Sequence, residues 1–466
     1  MKLANPLLKP QFSHSLSMWF IVFTALFLIF PPRILGEPGT GDIPNLGDDR
    51  ITQDQIEEGG KLSFNEILNF GLRIFSTPFN KFDGYGERAP ELRPTLQGNS
   101  TFLRVNGLDA QSCLECHAIV SSATIPATFG VGGAGGSSSN VIFRPTKINL
   151  KNGDMNGRFI NPPFLFGSGG VELIAKEMTI RLQELKAQAL ANPGEEIALT
   201  AKEVLFGTII AKRNGELDTS NIKGINQDLV VRPFGRKGEF ATVRAFDRGA
   251  MQFHFGMQPI EVVGEGEDPD GDGVTDEIRI GELSALHIWS TSLPKPEMVR
   301  LSENSARGFI IFNQIGCADC HRPFLNTNSR LLTYSYPEVE QDPTENIFYK
   351  IDLRQTASFK DNKDGGLDVP LFADLKRHDM GDELAESFEG DVPRGEFTTA
   401  RLWGVADTAP YLHDGRALTI KEAILMHGGE GEVSRTKFAD LDSETMQALL
   451  SFLQSLRTPT KGIQLK

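Results

Sequence analysis

Cysteine is scarce in this chain, with only four among 466 residues. All four fall in two short runs, Cys-Leu-Glu-Cys-His at residues 113–117 and Cys-Ala-Asp-Cys-His at residues 317–321. No thiol is left over for nucleophilic or thiol-redox chemistry. Any function of the cysteines therefore belongs to these two runs.

Each run is a C-x-x-C-H motif, the attachment signature of a c-type haem. The cysteines that would form thioethers with the haem vinyl groups are Cys113, Cys116, Cys317 and Cys320. The histidine after each pair, His117 or His321, is placed to ligate the haem iron. A zinc site or disulfides are the alternatives, but a separation of about 200 residues and a histidine after both pairs favour two covalent haems.

Long apolar runs are also lacking. Met18–Phe30 is unbroken and apolar, but it is shorter than the roughly 20 residues that a membrane-spanning helix needs. Lys2 and Lys9 precede it, which is typical of a signal peptide. We therefore expect residues 1–36 to be a signal peptide cleaved near Gly36, and the protein to be exported, as in a periplasm. An uncleaved N-terminal anchor is the alternative.

Positive charge is in deficit, with 47 Lys and Arg against 61 Asp and Glu, a net charge of −14. An acidic chain of this kind is a poor nucleic-acid binder. Its charge suits a soluble exported protein that meets a basic partner.

The order of segments predicts two haem domains. After a flexible leader at residues 37–54, an N-terminal haem c domain with insertions takes residues 55–300, and a C-terminal cytochrome c-like domain takes residues 301–466. Apolar residues at helical spacing predict a long helix at 171–191 and a closing helix at 443–456, and residues 201–210 suggest a short sheet insertion. The predicted fold class is mainly α, with the first domain enlarged by loops and short strands.

The C-terminal part carries motifs that go beyond haem attachment. They are residues 378–381 (HDMG), 397–404 (FTTARLWG), 409–416 (APYLHDGR), 422–424 (EAI) and 427–430 (HGGE), and residues 106–109 (NGLD) precede the first haem motif. In these segments the chain resembles the di-haem oxidoreductases of the peroxidase type, relatives of bacterial di-haem cytochrome c peroxidase and of MauG. The resemblance runs, in pieces, from Phe75 to Leu456.

The resemblance implies a six-coordinate haem in the C-terminal domain. In the family, the distal ligand lies fourteen positions after the histidine of the Y-x-H-D-G run, and here that position is His427. A histidine there lowers the haem potential relative to methionine, because a thioether favours reduced iron. Met426 is the alternative ligand, and a structural role for His427 is a further one.

The resemblance also implies that the N-terminal haem reacts with peroxide. Such a site requires an openable sixth position and a distal group that moves a proton between the peroxide oxygens. Gln258 and Glu261 are the candidate catalytic residues, and His254 or Met257 could fill the sixth position at rest. Each of them could equally be a packing residue.

The chain departs from the family at the tryptophan that relays electrons between the haems. Residues 244–247 correspond to that stretch and have Phe246 instead. Trp289 is the only tryptophan between the two motifs, and it lies close in sequence to the second domain.

An acidic turn suggests a calcium site. Its carboxylates Asp268, Asp270, Asp272 and Asp276 occupy positions 1, 3, 5 and 9 of an EF-hand-like loop, with glycine at position 6. Position 12 is Arg279 rather than glutamate, and a solvated acidic loop is the alternative.

Residues 411–416 are candidates for holding the haem propionates. Arg416 is suited to that role because a guanidinium pairs with a carboxylate through two hydrogen bonds. Tyr411, His413 and Asp414 could contribute, or could form a turn held by hydrogen bonds.

The first functional hypothesis is an exported di-haem peroxidase. It would take electrons from a small cytochrome or cupredoxin through the C-terminal haem and reduce hydrogen peroxide at the N-terminal haem. The second is a non-catalytic electron-transfer cytochrome with both irons six-coordinate. The third is a MauG-like oxidase or oxygenase acting on a protein or organic substrate.

Overall fold

The computed structural model describes residues 43–57, 59–86, 110–115, 117, 138–143, 157–162, 165–386 and 391–459. The expected signal peptide at residues 1–36, residues 106–109 and Cys116 lie outside the described residues. Within these ranges, no helix combines the length and apolarity that a membrane crossing requires.

The α-helices of the described ranges are α1 Phe64–Ser76, α2 Ser168–Ala191, α3 Val243–Ala250, α4 Ile260–Val263, α5 Ile280–Thr291, α6 Glu303–Gln314, α7 Leu353–Thr356, α8 Ile420–Leu425, α9 Glu432–Ala439 and α10 Ser443–Leu453. The strands are β1 Phe79–Asn80, β2 Ala110–Gln111, β3 Ser138–Phe143, β4 Gly157–Ile160, β5 Glu196–Ala201, β6 Val204–Ala211, β7 Leu217–Asp218, β8 Glu297–Met298, β9 Leu325–Asn326, β10 Leu331–Ser335, β11 Ile347–Asp352, β12 Lys360–Asp361, β13 Leu367–Val369, β14 Arg377–Asp379, β15 Glu396–Thr398 and β16 Leu456–Arg457.

The strands form small antiparallel sheets rather than one large one. Two sheets have three strands, in the orders β5-β6-β7 and β12-β13-β9. The two-stranded pairs are β1-β2, β3-β4, β10-β11, β14-β15 and β8-β16. Of the described residues, 35% are helical and 16% are strand, so the fold mixes helix and sheet and matches the expectation of a mainly α fold only in part. The short strands carry little periodic signal, because most have only two or three residues.

Several expected elements are present. The predicted long helix is α2, the insertion is the β5–β6 hairpin, and the closing helix is α10, whose first turn is capped by the Asp442 carboxylate. The leader differs from the expectation from residue 43 onward. There Leu46 and Ile51 are buried, and Arg50 pairs with Glu282 on α5. The described part of the leader therefore packs against the domain.

Each haem motif lies beside a tightly packed helix pair. Near the first motif, α1 packs on α5, and a side chain at Gly71 would meet the carbonyl of Ala285 at 2.3 Å. Near the second, α6 packs on α10, and a side chain at Gly308 would meet the carbonyl of Ala448 at 2.0 Å. Only glycine permits these close backbone approaches.

Three apolar clusters form the described core. The largest joins α2, the β5–β6 hairpin and strands β10 and β13. A second contains residues of α1 and α5, with Cys113 packed against it. The third contains residues of α6 and α10, with Cys317 packed against it. The haem motifs therefore border two separate apolar clusters.

Candidate haem sites

The two C-x-x-C-H motifs fold into the same local turn. Cys113–Glu115 and Cys317–Asp319 are 3-10 turns. The backbone N–H of His117 donates to Cys113 at 2.9 Å, and that of His321 donates to Cys317 at the same distance. The three described cysteines form no disulfide. The turn places each histidine directly after the cysteine pair, as haem attachment requires.

At the second motif, two histidines face each other. His321 donates from Nδ1 to the Phe372 carbonyl at 3.2 Å, and His427 donates from Nδ1 to the Ala423 carbonyl at 2.8 Å. These bonds fix the ring orientations and leave each Nε2 as the coordinating nitrogen. The ring centres are 6.3 Å apart, with the planes inclined by 55°.

That separation suits one metal ion between the rings. Two metal–nitrogen bonds of about 2 Å each, with roughly 1 Å from each nitrogen to its ring centre, add up to about 6 Å. Burial lowers the pKa of His321 to about 4, to which His427 also contributes, and burial lowers the pKa of His427. Both imidazoles are therefore held in the neutral form that binds a metal. The residues present fit a six-coordinate haem iron; Met426 is the residue directly after helix α8 and stays the alternative ligand.

The candidates for the propionates have partners within the chain. Arg416 pairs with Asp414 at 2.5 Å and donates to the Glu383 carbonyl. Tyr411 donates its hydroxyl to the Val405 carbonyl at 2.9 Å. His413 stacks on Phe397. These contacts match a turn held by hydrogen bonds, and the propionate role stays a prediction.

The first motif lies in aromatic surroundings. The rings of Phe75 and His117 are 6.3 Å apart, and those of Phe75 and Trp289 are 4.6 Å apart. Trp289 is close in sequence to the second domain, but it packs in the cluster around the first motif. Phe246 packs on Phe240 instead.

The segment expected on the distal side contains an unusual helical turn. Helix α3 runs directly into a π-helical turn, Met251–Phe255, which ends at Gly256 with a positive φ of 67°. Such turns are often found at functional sites. Met257 follows and is fully buried in the cluster that Cys113 packs against. Burial lowers the pKa of His254 to about 4, so this histidine is neutral at physiological pH.

The two proposed catalytic residues have different surroundings. Gln258 is 3% exposed, and neither atom of its side-chain amide makes a hydrogen bond with the described residues. Glu261 is engaged, because one carboxylate oxygen accepts from Arg244 at 2.6 Å and the other lies 3.6 Å from Arg248. A buried amide without a hydrogen-bond partner is costly, so a group outside the described residues, such as a ligand or another part of the chain, would have to satisfy it. Gln258 therefore fits the role of a ligand-facing residue better than Glu261.

The acidic turn brings three of the four predicted calcium ligands together. Oxygens of Asp268, Asp270 and Asp272 lie within 4.8 Å of one another. Asp276 is not in this group and accepts from the backbone of Gly266. Glu277 is buried beside the cluster, and burial together with the neighbouring aspartates raises its pKa to about 10. Calcium binding stays a prediction.

A buried ionic frame beside the first motif was missed by sequence reasoning. Glu172 on α2 bonds to His287 on α5 at 2.8 Å and to Lys176 at 2.8 Å. Burial alone would raise the pKa of Glu172, but His287 and Lys176 outweigh it and hold it at about 2. The sequence signal is a glutamate inside the apolar start of a helix, with a lysine four residues later.

Comparison with known proteins supports the resemblance found in the sequence. Residues 356–456 match the model of the family described as "Di-haem oxidoreductase, putative peroxidase". The resemblance to this family is confirmed. The match includes the segment that contains His427.

Two curated proteins of this kind are similar to part of the chain. Cytochrome-c peroxidase IdrP2 of Pseudomonas sp. (strain SCT) is 28% identical over 164 residues, which are 35% of this chain and 42% of that protein. Cytochrome-c peroxidase IdrP1 of Denitromonas iodatirespirans is 25% identical over 168 residues, which are 34% and 41%. The chain thus spans less than half the length of the curated relatives it matches.

Solved structures give only distant similarity. A MauG-like protein associated with microbial copper homeostasis is 15% identical, with a TM-score of 0.26, over 62% of this chain and 88% of that one. Kuenenia stuttgartiensis hydrazine synthase is 15% identical, with a TM-score of 0.27, over 60% and 91%. These TM-scores carry no argument about fold or function.

Proposed function

We propose that the protein is an exported di-haem c-type oxidoreductase that reduces hydrogen peroxide with electrons from a small redox protein. The net reaction consumes one peroxide, two electrons and two protons and gives two waters. Covalently bound haem would supply the electron transfer and the peroxide chemistry. Electrons would enter at the C-terminal site and reach peroxide at the N-terminal site.

The observation that carries this proposal is the inequality of the two sites. His321 and His427 face each other at 6.3 Å and suit a closed, six-coordinate iron. Around the first motif, by contrast, the buried amide of Gln258 has no hydrogen-bond partner among the described residues. A closed site suits electron storage, whereas a reactive site needs an available position and a polar group directed at the substrate.

The roles of the chain's own residues follow from their contacts. His427 would fill the sixth coordination position of the second haem iron, and its hydrogen bond to the Ala423 carbonyl would hold the ring in place. Gln258 would orient peroxide through its amide. Arg244 and Arg248 keep the Glu261 carboxylate paired, so Glu261 would act on the proton only after leaving them.

The alternative is an electron-transfer cytochrome with both irons six-coordinate. It is favoured by His427 and by the presence of His254 and Met257 on the predicted distal side. The deciding experiment is peroxide-dependent oxidation of a reduced cytochrome c or cupredoxin by the intact haem-loaded protein. We expect saturable turnover that consumes two donor electrons per peroxide. No turnover, together with two permanently low-spin irons, would establish the carrier instead.

A further inference from the structure

His378 lies between two carboxylates beside the second haem motif. Its Nε2 is 2.8 Å from Asp374, and its Nδ1 is 2.8 Å from Glu430. His378 and Asp374 are buried, whereas Glu430 is largely exposed. Since both ring nitrogens face carboxylate oxygens, both donate, and the histidine bridges the two acidic residues as an imidazolium.

The Asp374 end of this bridge is tied to the segment that orients His321. Asp374 comes two residues after Phe372, whose carbonyl accepts the Nδ1 hydrogen of His321. Its other carboxylate oxygen accepts from the Thr399 hydroxyl at 2.7 Å and from the Lys376 backbone at 3.0 Å. These two partners, in addition to His378, fix the position of the Asp374 carboxylate.

The Glu430 end is tied to the segment that carries His427. Glu430 comes three residues after His427, and its second oxygen accepts from the Asp379 backbone at 3.1 Å. The two segments lie in close backbone contact, because a side chain at Gly429 would meet the Asp379 carbonyl at 2.2 Å. Gly429 also has a positive φ of 49°, which favours glycine. The loop after His427 is therefore pressed onto strand β14.

We propose that His378 is a positioning residue that joins the segment holding His321 to the segment holding His427, and so sets how firmly His427 holds the second haem iron. The inference rests on the ligand role of His427 in the proposed function. A hydrogen-bonded partner of a ligand, or of the loop that carries it, restricts the positions the ligand can take.

A metal ion bound by Cys320, Asp374 and His378 is the competing explanation, since atoms of these residues lie within 4.8 Å of one another. Both nitrogens of His378 are already directed at carboxylates, and the proposed haem attachment takes the sulfur of Cys320. One zinc ion per chain, bound without haem at residues 317–321, would overturn the bridge.

The test uses the haem-loaded protein and the exposed end of the bridge. Glu430→Ala removes one carboxylate without disturbing the core, and His378→Gln replaces the imidazolium with a neutral side chain that can donate to at most one of the two carboxylates. Glu432→Ala is the matched control, because Glu432 is also exposed, lies two residues away and has its carboxylate paired with Arg435 on the same helix. The first readout is the low-spin electron paramagnetic resonance signal of the second haem. The others are the rate at which cyanide displaces His427 and the midpoint potential of that haem.

We expect cyanide to displace His427, and so to replace its low-spin signal, about tenfold faster in Glu430→Ala than in the parent. This factor is the effect expected for the loss of one charge-assisted hydrogen bond. The potential of the second haem should shift as well, and Glu432→Ala should behave as the parent. If Glu430→Ala and His378→Gln both match the control while His427→Gly loses the low-spin signal, the bridge is wrong and the ligand stands. If His427→Gly keeps that signal, the proposed ligand itself is wrong.

Discussion

The turns at residues 113–117 and 317–321 close through the same backbone hydrogen bond, yet their surroundings differ. At the second turn, His321 faces His427, and backbone carbonyls orient both rings. At the first turn, His117 lies beside Phe75, and in the predicted distal segment the buried Gln258 amide has no hydrogen-bond partner among the described residues. In the proposed function, the motif would specify where a haem attaches, while residues far away in sequence would decide whether its sixth position is filled.

The frames that support the two sites also differ. Near the first motif, buried ion pairs join α2 to α5 through Glu172 and His287, and α3 to α4 through Arg244 and Glu261. Helices α6 and α10 near the second motif are joined by apolar side chains and a glycine contact. Replacing one partner of a buried ion pair strongly lowers folding stability, because the other charge is left uncompensated.

The largest expected effect is on the second haem. His427→Gly should convert its low-spin signal to high spin, because the chain would no longer supply a sixth ligand. Met426→Leu is the control for the alternative ligand and should leave the signal unchanged. Electron paramagnetic resonance of both variants checks this, and the reverse pattern would reassign the ligand to Met426.

The next effect concerns the first site alone. Gln258→Leu should lower kcat/KM for peroxide by about 100-fold, at the lower end of what proton-transfer and orienting groups contribute. Folding stability should hardly change, since the amide has no hydrogen-bond partner in the described part of the chain. Steady-state kinetics and urea unfolding measure the two quantities. Met257→Leu, next to it, should retain most activity, and an equal loss in both variants would point to packing rather than chemistry.

A third test separates the two frames. Glu172→Gln should lower the free energy of unfolding by about 3–5 kcal/mol at pH 7, because it leaves buried cations uncompensated. Glu184→Gln on the same helix is exposed and should change it by less than about 0.5 kcal/mol. Urea unfolding followed by circular dichroism measures both. A small effect of Glu172→Gln would show that the buried ion pair of Glu172 does not stabilise the region around the first motif.

The contribution of Glu172 to folding stability should also depend on pH. The pKa of Glu172 is lowered to about 2 in the folded protein. Its contribution to stability is therefore complete above its unfolded pKa of about 4.3 and is lost as the pH falls towards 2. The difference between parent and Glu172→Gln should shrink over that window.

The smallest expected effect is that of calcium on the acidic turn. Calcium should raise Tm by a few degrees, because a ligand that binds only the folded state stabilises it. Asp270→Asn should reduce this shift, and Asp276→Asn should not, because Asp276 lies outside the group of three carboxylates. Calorimetry with and without a chelator measures it. No shift in the parent would leave a solvated acidic loop.

The residues proposed as ligands at the second site could be named from the sequence, because they lie within motifs of fixed spacing, and their role stays a prediction. His321 follows a cysteine pair, and His427 lies at a set distance from residues 409–416. Helices α2 and α10 were visible from their apolar periodicity. The pairs Glu172–His287 and His378–Glu430 were not, because each joins residues 52 or more positions apart. Nor could the sequence show that Arg244 pairs with Glu261. The same holds for the buried Gln258 side-chain amide, which has no hydrogen-bond partner among the described residues.

The inequality of the two irons is tested most directly by electron paramagnetic resonance of the resting and half-reduced haem-loaded protein. The account predicts a low-spin signal from the His321/His427 site. In the half-reduced protein it also predicts a high-spin or exogenous-ligand-binding signal from the His117 site. Two low-spin signals in the resting protein, together with a ferric haem in the half-reduced protein that stays low-spin and is unaltered by cyanide or peroxide, would contradict it.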